Sequence, residues 1–246
     1  MPADLPTLLM TRPLAASEAF VAMLPESLRS RLRVVIAPLI EIRIRDTPVQ
    51  VDPSETLIFS SANGVRAAVA MDVPLGGMAF CVGAATTSRA QEAGWTARFL
   101  GRDSDELVSR LIEEAPAGKF CHLHGAHARG DIVTRLHDAG LTVREAIVYD
   151  QPTVPLSDEA VRLVASESPV LVPLFSPRTA RAFAAQAPAR PGLVPLCLSR
   201  NVADALRSAG FDEIATAARP DAESMVALLE SELGRLCRVE GGPGAH

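Results

Sequence analysis

The chain has 246 residues, a formal net charge of −5, 48% hydrophobic and 22% charged residues, and only 4% aromatic residues. That balance is ordinary for a globular protein and excludes disorder except at the ends. It also excludes a general basic field for nucleic acid or an anionic membrane, and so few rings argue against a base-stacking surface.

In chain order, Thr7 to Met10 is a short apolar run that reads as a strand, closed by Thr11-Arg12-Pro13. A helical pattern over 14–28, a strand over 32–36 and an alternating extended segment over 38–44 follow. The stretch DTPVQVDPSE is polar and carries prolines, as a crossing between domains does. Strands are then predicted near 57–60, 79–82, 96–99, 119–123 and 143–148, with helices near 63–71, 84–93, 104–115 and 129–139. Ser104, with Asp103, Asp105 and Glu106 around it, is a sound helix start. Gly94, Gly140 and Gly210 sit where helices stop in the left-handed conformation. A second proline-bearing crossing, Asp150 to Ser157, leads to a helix near 158–166. Strands near 170–174, 193–198 and 212–215 and helices near 177–186, 201–209 and 221–236 complete the pattern.

The chain repeats itself. With an offset of 116 and no gap, Phe59-Ser60 falls on Phe175-Ser176, Cys81 on Cys197, Val82-Gly83 on Leu198-Ser199, Ala93-Gly94 on Ala209-Gly210, and Trp95 on Phe211. A period this long is a duplicated domain rather than a solenoid. The strand count gives five to the middle segment and three to the last, so the first segment supplies the missing two. The expected fold is therefore α/β: two similar three-layer parallel-sheet domains joined by two linkers, the second inserted into the first. Residues 1–38 and 152–240 form the discontinuous α/β domain, residues 45–149 the inserted α/β domain, and 241–246 a flexible tail. Two adjacent linkers predict a hinge.

Cys81, Cys121, Cys197 and Cys237 follow no metal-ligand spacing, and three of them lie in apolar strands as small reduced core residues. The N-terminus has no charged region leading into an apolar core, and no run approaches the roughly 18 apolar residues of a membrane span. A soluble, cytoplasmic protein is the expectation, and a monomer, since no long apolar helix is left without a partner.

In parallel α/β sheets ligands bind beyond the carboxyl ends of the strands, where helix N-termini offer backbone N–H groups. Those ends read Thr11-Arg12, Ser60-Ser61-Ala62-Asn63, Gly83-Ala84-Ala85-Thr86, His124-Gly125 with Arg129, Ser176-Pro177-Arg178-Thr179, Ser199-Arg200-Asn201 and Arg219-Pro220. Hydroxyls and small residues dominate, and five of the seven carry an arginine. Such a set suits a polyanion. Any single Ser, Thr or Asn among them also has the simpler reading of a helix cap.

His122, His124 and His127 in HLHGAH have a spacing seen in some metal sites, but no acidic or cysteine ligand has a matching place nearby, so a polar strand end is favoured over a metal. GxGxxG after the first strand, GxxxxGK[ST] and GxSxG are absent, which removes support for NAD, ATP or a serine nucleophile. Tyr149 is the only tyrosine and stands where the middle domain returns to its linker. Its phenol could donate a proton, or its ring could be an ordinary strand-end aromatic.

The TRP near the start, FSSANGV, VGAATTSRAQEAGW, HGAHARGDIV, Val148-Tyr149, FSPRTARAF and the ARP before the last helix, in this order and spacing, resemble the uroporphyrinogen-III synthase family over nearly the whole chain. The chain departs from that family at Leu198 to Val202 and at Asp221, where an acid facing a polyanion is better read as a cap for the last helix. The resemblance implies cyclisation of linear hydroxymethylbilane to uroporphyrinogen III, with inversion of ring D, loss of water and no cofactor. It implies a substrate of eight carboxylates and a route through an azafulvene and a spiro intermediate, in which the protein chiefly positions the bilane. It also implies Tyr149 as the catalytic proton donor. Substrate binding falls to Arg12, Ser60, Ser61, Asn63, Gly83, Thr86, Gly125, Arg129, Ser176, Pro177, Arg178 and Ser199. Closure about the linkers and a transient contact with the preceding pathway enzyme are further expectations; nucleic acid and membrane partners are not. The competing reading is a non-catalytic two-lobed module that binds a polyanionic small molecule.

Overall fold

The computed structural model describes residues 5–128 and 130–240, with backbone alone at 237–240. Arg129, the side chain of Cys237 and the tail 241–246 lie outside the described residues. The chain divides into two compact units, one of residues up to Glu41 and from Thr153 onward, the other of Ile42–Pro152.

The first unit opens with β1 (Thr7–Met10), α1 (Leu14–Ala22), α2 (Glu26–Arg29) and β2 (Arg33–Ile36). The single helix expected over 14–28 is in fact two. Pro25 stands at the N-cap of α2 with extended backbone, and a proline cannot donate to the preceding turn. The second unit contains β3 (Arg43–Ile44), β4 (Glu55–Phe59), α3 (Ala62–Ala70), β5 (Met78–Val82), α4 (Ala84–Ala93), β6 (Thr96–Gly101), α5 (Ser104–Glu114), β7 (Lys119–Gly125), α6 (Ile132–Asp138) and β8 (Thr142–Asp150). The chain then returns to the first unit with α7 (Asp158–Ala165), β9 (Val170–Leu174), α8 (Pro177–Ala184), β10 (Leu193–Cys197), α9 (Arg200–Arg207), β11 (Ala215–Thr216) and α10 (Ala222–Glu240).

In the first unit the strands order β11-β10-β9-β1-β2, all parallel. Successive residues of a strand face opposite sides, and the core follows that rule. Leu8 and Met10 pack with Phe20, Leu24, Met225, Leu229 and Leu233 against α1 and α10, while Leu9 joins Val164, Phe183, Val202 and Leu206 against α7, α8 and α9. The second unit orders β3-β8-β7-β4-β5-β6. Leu57, Phe59, Cys81 and Leu123 meet Val65, Ala68 and Ala90 of α3 and α4, and Ile58, Phe80 and Phe120 meet Leu107, Leu111, Ile132 and Leu136 of α5 and α6. The three-layer, two-sheet α/β fold expected from the sequence is thus borne out. Its all-parallel character needs one correction: β3 lies antiparallel to β8, where Arg45 clasps Asp150 through two hydrogen bonds of 3.0 and 2.8 Å.

The 116-residue offset holds in space. Strands β4, β5 and β6 neighbour one another in the same order as β9, β10 and β11, and β7-β8 stand beside β4 as β1-β2 stand beside β9. Trp95 packs on Phe59 at 5.3 Å between ring centroids, and its counterpart Phe211 packs on Phe183 at 6.0 Å. Cys81, Cys121 and Cys197 are buried free thiols, and burial pushes them up to about 11, 11 and 12 respectively. Among the described residues no helix is long and apolar enough to cross a membrane.

Candidate functional site

Each sheet reverses its strand order at one place, between β7 and β4 in the second unit and between β1 and β9 in the first. Beyond the carboxyl ends of such a pair, neighbouring loops splay to opposite faces and leave room for a ligand.

In the second unit this place gathers Ser60, Ser61, Gly125 and Tyr149. Ser61 is the N-cap of α3, its Oγ accepting from the Gly64 N–H at 3.2 Å. The same Oγ lies 3.0 Å from the Tyr149 phenol oxygen. The nearby Gly125 backbone N–H also favours the charged form of that oxygen. Tyr149 is only 5% exposed, and burial raises its phenol above the ordinary value although Ser61 and the Gly125 backbone pull it down. Gly125 is glycine because the ring leaves no room for more: a Cβ there would lie 2.4 Å from Cε2 and 2.5 Å from Cζ of Tyr149.

Ser60 turns to the other side of the sheet, its Oγ 2.9 Å from Nε2 of His122. His122 is almost fully buried, and burial, with the nearby His124 as a lesser cause, lowers it to about 3, so this imidazole is neutral. The two rings stack at 4.5 Å. No group of three or more potential ligands that could hold a metal occurs among the described residues. Asn63 lies in the first turn of α3, and Gly83, at φ +79°, is the N-cap of α4, which has no side-chain cap. Thr86 is buried in the first turn of α4.

In the first unit, Arg12 follows β1 and lays its guanidinium over the Phe175 ring at 4.1 Å. Burial lowers it from its ordinary value, and no carboxylate of the described residues pairs with it. Beside it, Thr11 Oγ1 is buried without a hydrogen-bond partner. Ser176 caps α8, accepting from Thr179 N–H at 3.1 Å, with Pro177 in the first turn, where its missing N–H costs nothing. Arg178 follows in the same turn. Ser199 is the N-cap of α9 and makes no side-chain cap bond, as at Gly83 of its counterpart helix. In both helices the first-turn N–H groups thus receive no bond from a capping side chain.

The family model for uroporphyrinogen-III synthase HemD matches residues 27–227. The chain belongs to the uroporphyrinogen-III synthase family. Among solved structures, a uroporphyrinogen-III synthetase from Helicobacter pylori superposes with a TM-score of 0.65 at 15% identity, covering 92% of this chain and 99% of that one. A mutant uroporphyrinogen III synthase from Thermus thermophilus gives 0.49 at 14% identity, covering 95% and 99%. A comparison with curated protein sequences gives no match.

Against the uroporphyrinogen-III synthase pattern, the departure at Asp221 has a structural reason. Its Oδ1 accepts from the Ser224 N–H at 2.8 Å at the start of α10, so it is a helix cap. Sequence reasoning missed three participants: His122 as the partner of Ser60, Glu145 as the partner of His124, and Phe175 as the ring beneath Arg12. Phe175 carried a signal in its repeat match to Phe59 and the histidines in their HLH spacing, whereas Glu145 carried none.

Proposed function

We propose that this uroporphyrinogen-III synthase cyclises hydroxymethylbilane to uroporphyrinogen III with Tyr149 as proton donor to the departing hydroxyl. The observation that carries this is the hold on the phenol oxygen by Ser61 Oγ at 3.0 Å, with the ring packed directly against Gly125. Ser61 Oγ accepts from Gly64, and its proton is assigned to the Tyr149 oxygen. The phenolic proton is then left for the substrate. When it moves to the hydroxyl, the C–O bond breaks, water leaves, and a pyrrole nitrogen supplies the electron pair that completes the azafulvene. The tyrosinate left behind keeps the Ser61 donor aimed at it. The proton expelled when the rearranged macrocycle regains its pyrroles restores the phenol, so the sum is loss of one water.

Binding is assigned to the strand ends of both units. Arg12 on Phe175 supplies a guanidinium without a carboxylate partner, a ready fork for a substrate carboxylate. The uncapped starts of α4 and α9 supply N–H groups beside Gly83 and Thr86 and beside Ser199. Ser60, Asn63, Ser176, Pro177, Arg178 and Arg129 are assigned to the same work.

The test generates hydroxymethylbilane in situ, oxidises the products and separates isomers I and III by chromatography. Wild-type protein is expected to give isomer III, and Tyr149→Phe to lose about 10²-fold in kcat. Isomer I alone at the uncatalysed rate from folded wild-type protein would overturn the enzyme reading. Full turnover by Tyr149→Phe would remove the phenol from the mechanism.

A further inference from the structure

The stacked histidines of β7 take no part in the reading above, yet one of them reaches the peptide on which Tyr149 rests. His124 is 7% exposed. Its Nδ1 lies 2.8 Å from the Gly125 carbonyl oxygen, and its Nε2 lies 3.1 Å from Oε2 of Glu145 on β8. A carbonyl only accepts, so Nδ1 carries a proton and donates it.

The Gly125 carbonyl accepts a second bond from the Ala128 N–H at 3.1 Å, and the adjoining Ala126 N–H donates to the Tyr149 carbonyl at 3.0 Å. On the other side of the same residue the Tyr149 ring lies so close that a Cβ on Gly125 would stand 2.4 Å from Cε2 and 2.9 Å from Oη. Backbone and side chain of Tyr149 are thus both tied to Gly125 and its neighbour. The sheet ladder does not fix that residue by itself. Register between β7 and β8 shifts between His124 and Gly125, so that His124 faces Ile147 while Gly125 faces Tyr149. At such an irregularity regular ladder bonding is interrupted, and the His124 bond adds a side-chain hold on the peptide to the backbone bonds there.

We propose that His124 is a positioning residue for Tyr149: its Nδ1–H pins the displaced Gly125 carbonyl, which fixes the backbone against which the phenol ring rests. Glu145 holds the far nitrogen, and the ring of His122, itself tied to Ser60, supports one face. The consequence for turnover rests on Tyr149 as proton donor; the consequence for the phenol itself does not.

That separation sets the test. Tyr149 is the only tyrosine of the chain, so near-ultraviolet absorbance reads its ionisation alone. The amide nitrogen of an asparagine at 124 can stand where Nδ1 stands, whereas that of a glutamine reaches toward the Nε2 position. His124→Gln is expected to raise the Tyr149 titration by about one pH unit and to lower kcat about tenfold, with KM within about twofold. His124→Asn is expected to recover most of both losses. Unchanged phenol titration in folded His124→Gln, or equal damage in the Asn and Gln variants, would overturn the proposal. Should the variants fail to fold, nitrogen NMR of wild-type protein with labelled histidines decides: a protonated His124 Nδ1 is required, and a bare one overturns it. If Tyr149→Phe retains full turnover while His124→Gln still moves the phenol titration, the positioning stands and the catalytic role of Tyr149 falls.

Discussion

Replacing Gly125 with alanine adds one methyl group at the point where the reaction is proposed to begin. The new carbon would stand 2.4 Å from Cε2, 2.5 Å from Cζ and 2.9 Å from Oη of Tyr149. Carbon atoms settle at about 3.5–4.0 Å, so the ring or the peptide must give way by about 1 Å. Gly125 is not among the glycines with positive φ, so the backbone itself accepts an alanine and the effect is purely steric. The phenol is fixed by Ser61 at 3.0 Å and by its buried surroundings, so relief breaks that hydrogen bond or displaces the Gly125 backbone. A displacement of about 1 Å in a positioned group costs about 10²-fold in rate, and overpacking costs about 1–3 kcal/mol in stability. The assay follows isomer III formation from bilane generated in situ, with thermal unfolding measured in parallel. Folded Gly125→Ala turning over within about twofold of wild type would refute the argument that the place of the phenol matters.

Arg12→Gln removes the charge but keeps polar bulk. Without that charge-assisted hydrogen bond to a substrate carboxylate, KM should rise on the order of tenfold to a hundredfold with kcat little changed, as steady-state kinetics would show. Arg12→Lys should recover little of that affinity, because an ammonium cannot lie flat on Phe175 as the guanidinium does. Stability should fall on the acid side through His122. Its ordinary value is 6.5 and its folded value about 3, so between those limits the unfolded chain binds a proton that the folded chain does not. The contribution is complete above about pH 6.5 and is lost as the pH falls toward about 3, with a slope approaching about 1.4 kcal/mol per pH unit. Urea unfolding at pH 7 and pH 5 reads this above the carboxylate range; an unchanged wild-type midpoint would contradict the burial argument, and His122→Gln should flatten the difference.

Much of the fold was legible because buried parallel strands announce themselves as short apolar runs. VLVPL and LVPLC lie where β9 and β10 lie. Gly94 ends α4 in the left-handed conformation, as a residue without Cβ allows. What failed was pairing and local competition. The apolar spacing runs on through Leu24 and Leu28, so nothing but Pro25 marks the break between α1 and α2. Helix α5 does start at Ser104 as expected, and its cap is the preceding Asp103, accepting from the Glu106 N–H at 2.9 Å. Both residue types cap helices, and the choice depends on backbone angles. The residues after Asp212 were expected to pair from 212 onward, yet only Ala215–Thr216 does so, in a register of two pairs with β10. In the site, strand ends and helix starts could be read as a class of place. That Ser60 would meet His122, and that Gly125 would lie under the Tyr149 ring, depends on cross-strand register, which apolar patterning does not carry.

The duplication gives these particulars a common origin. Strand β1 stands in its sheet where β7 stands in the other, although one opens its unit's share of the chain and the other comes late in it. The loop after β1, carrying Thr11 and Arg12, is therefore the topological counterpart of the loop after β7, carrying Gly125. Ser176 after β9 is likewise the counterpart of the serines after β4. Each switch point thus has a serine-capped helix on one side and a specialised residue on the other. In one that residue is a guanidinium over an aromatic ring; in the other it is a glycine that admits a phenol. The adjoining helices α4 and α9 lack side-chain caps in both units, and on the proposed reading these are the ends that take carboxylates. On the proposed reading, a copied anion-binding frame has kept its general function twice and diverged once. One copy strengthened the hold on carboxylate, and the other acquired a proton donor at the equivalent point of the sheet.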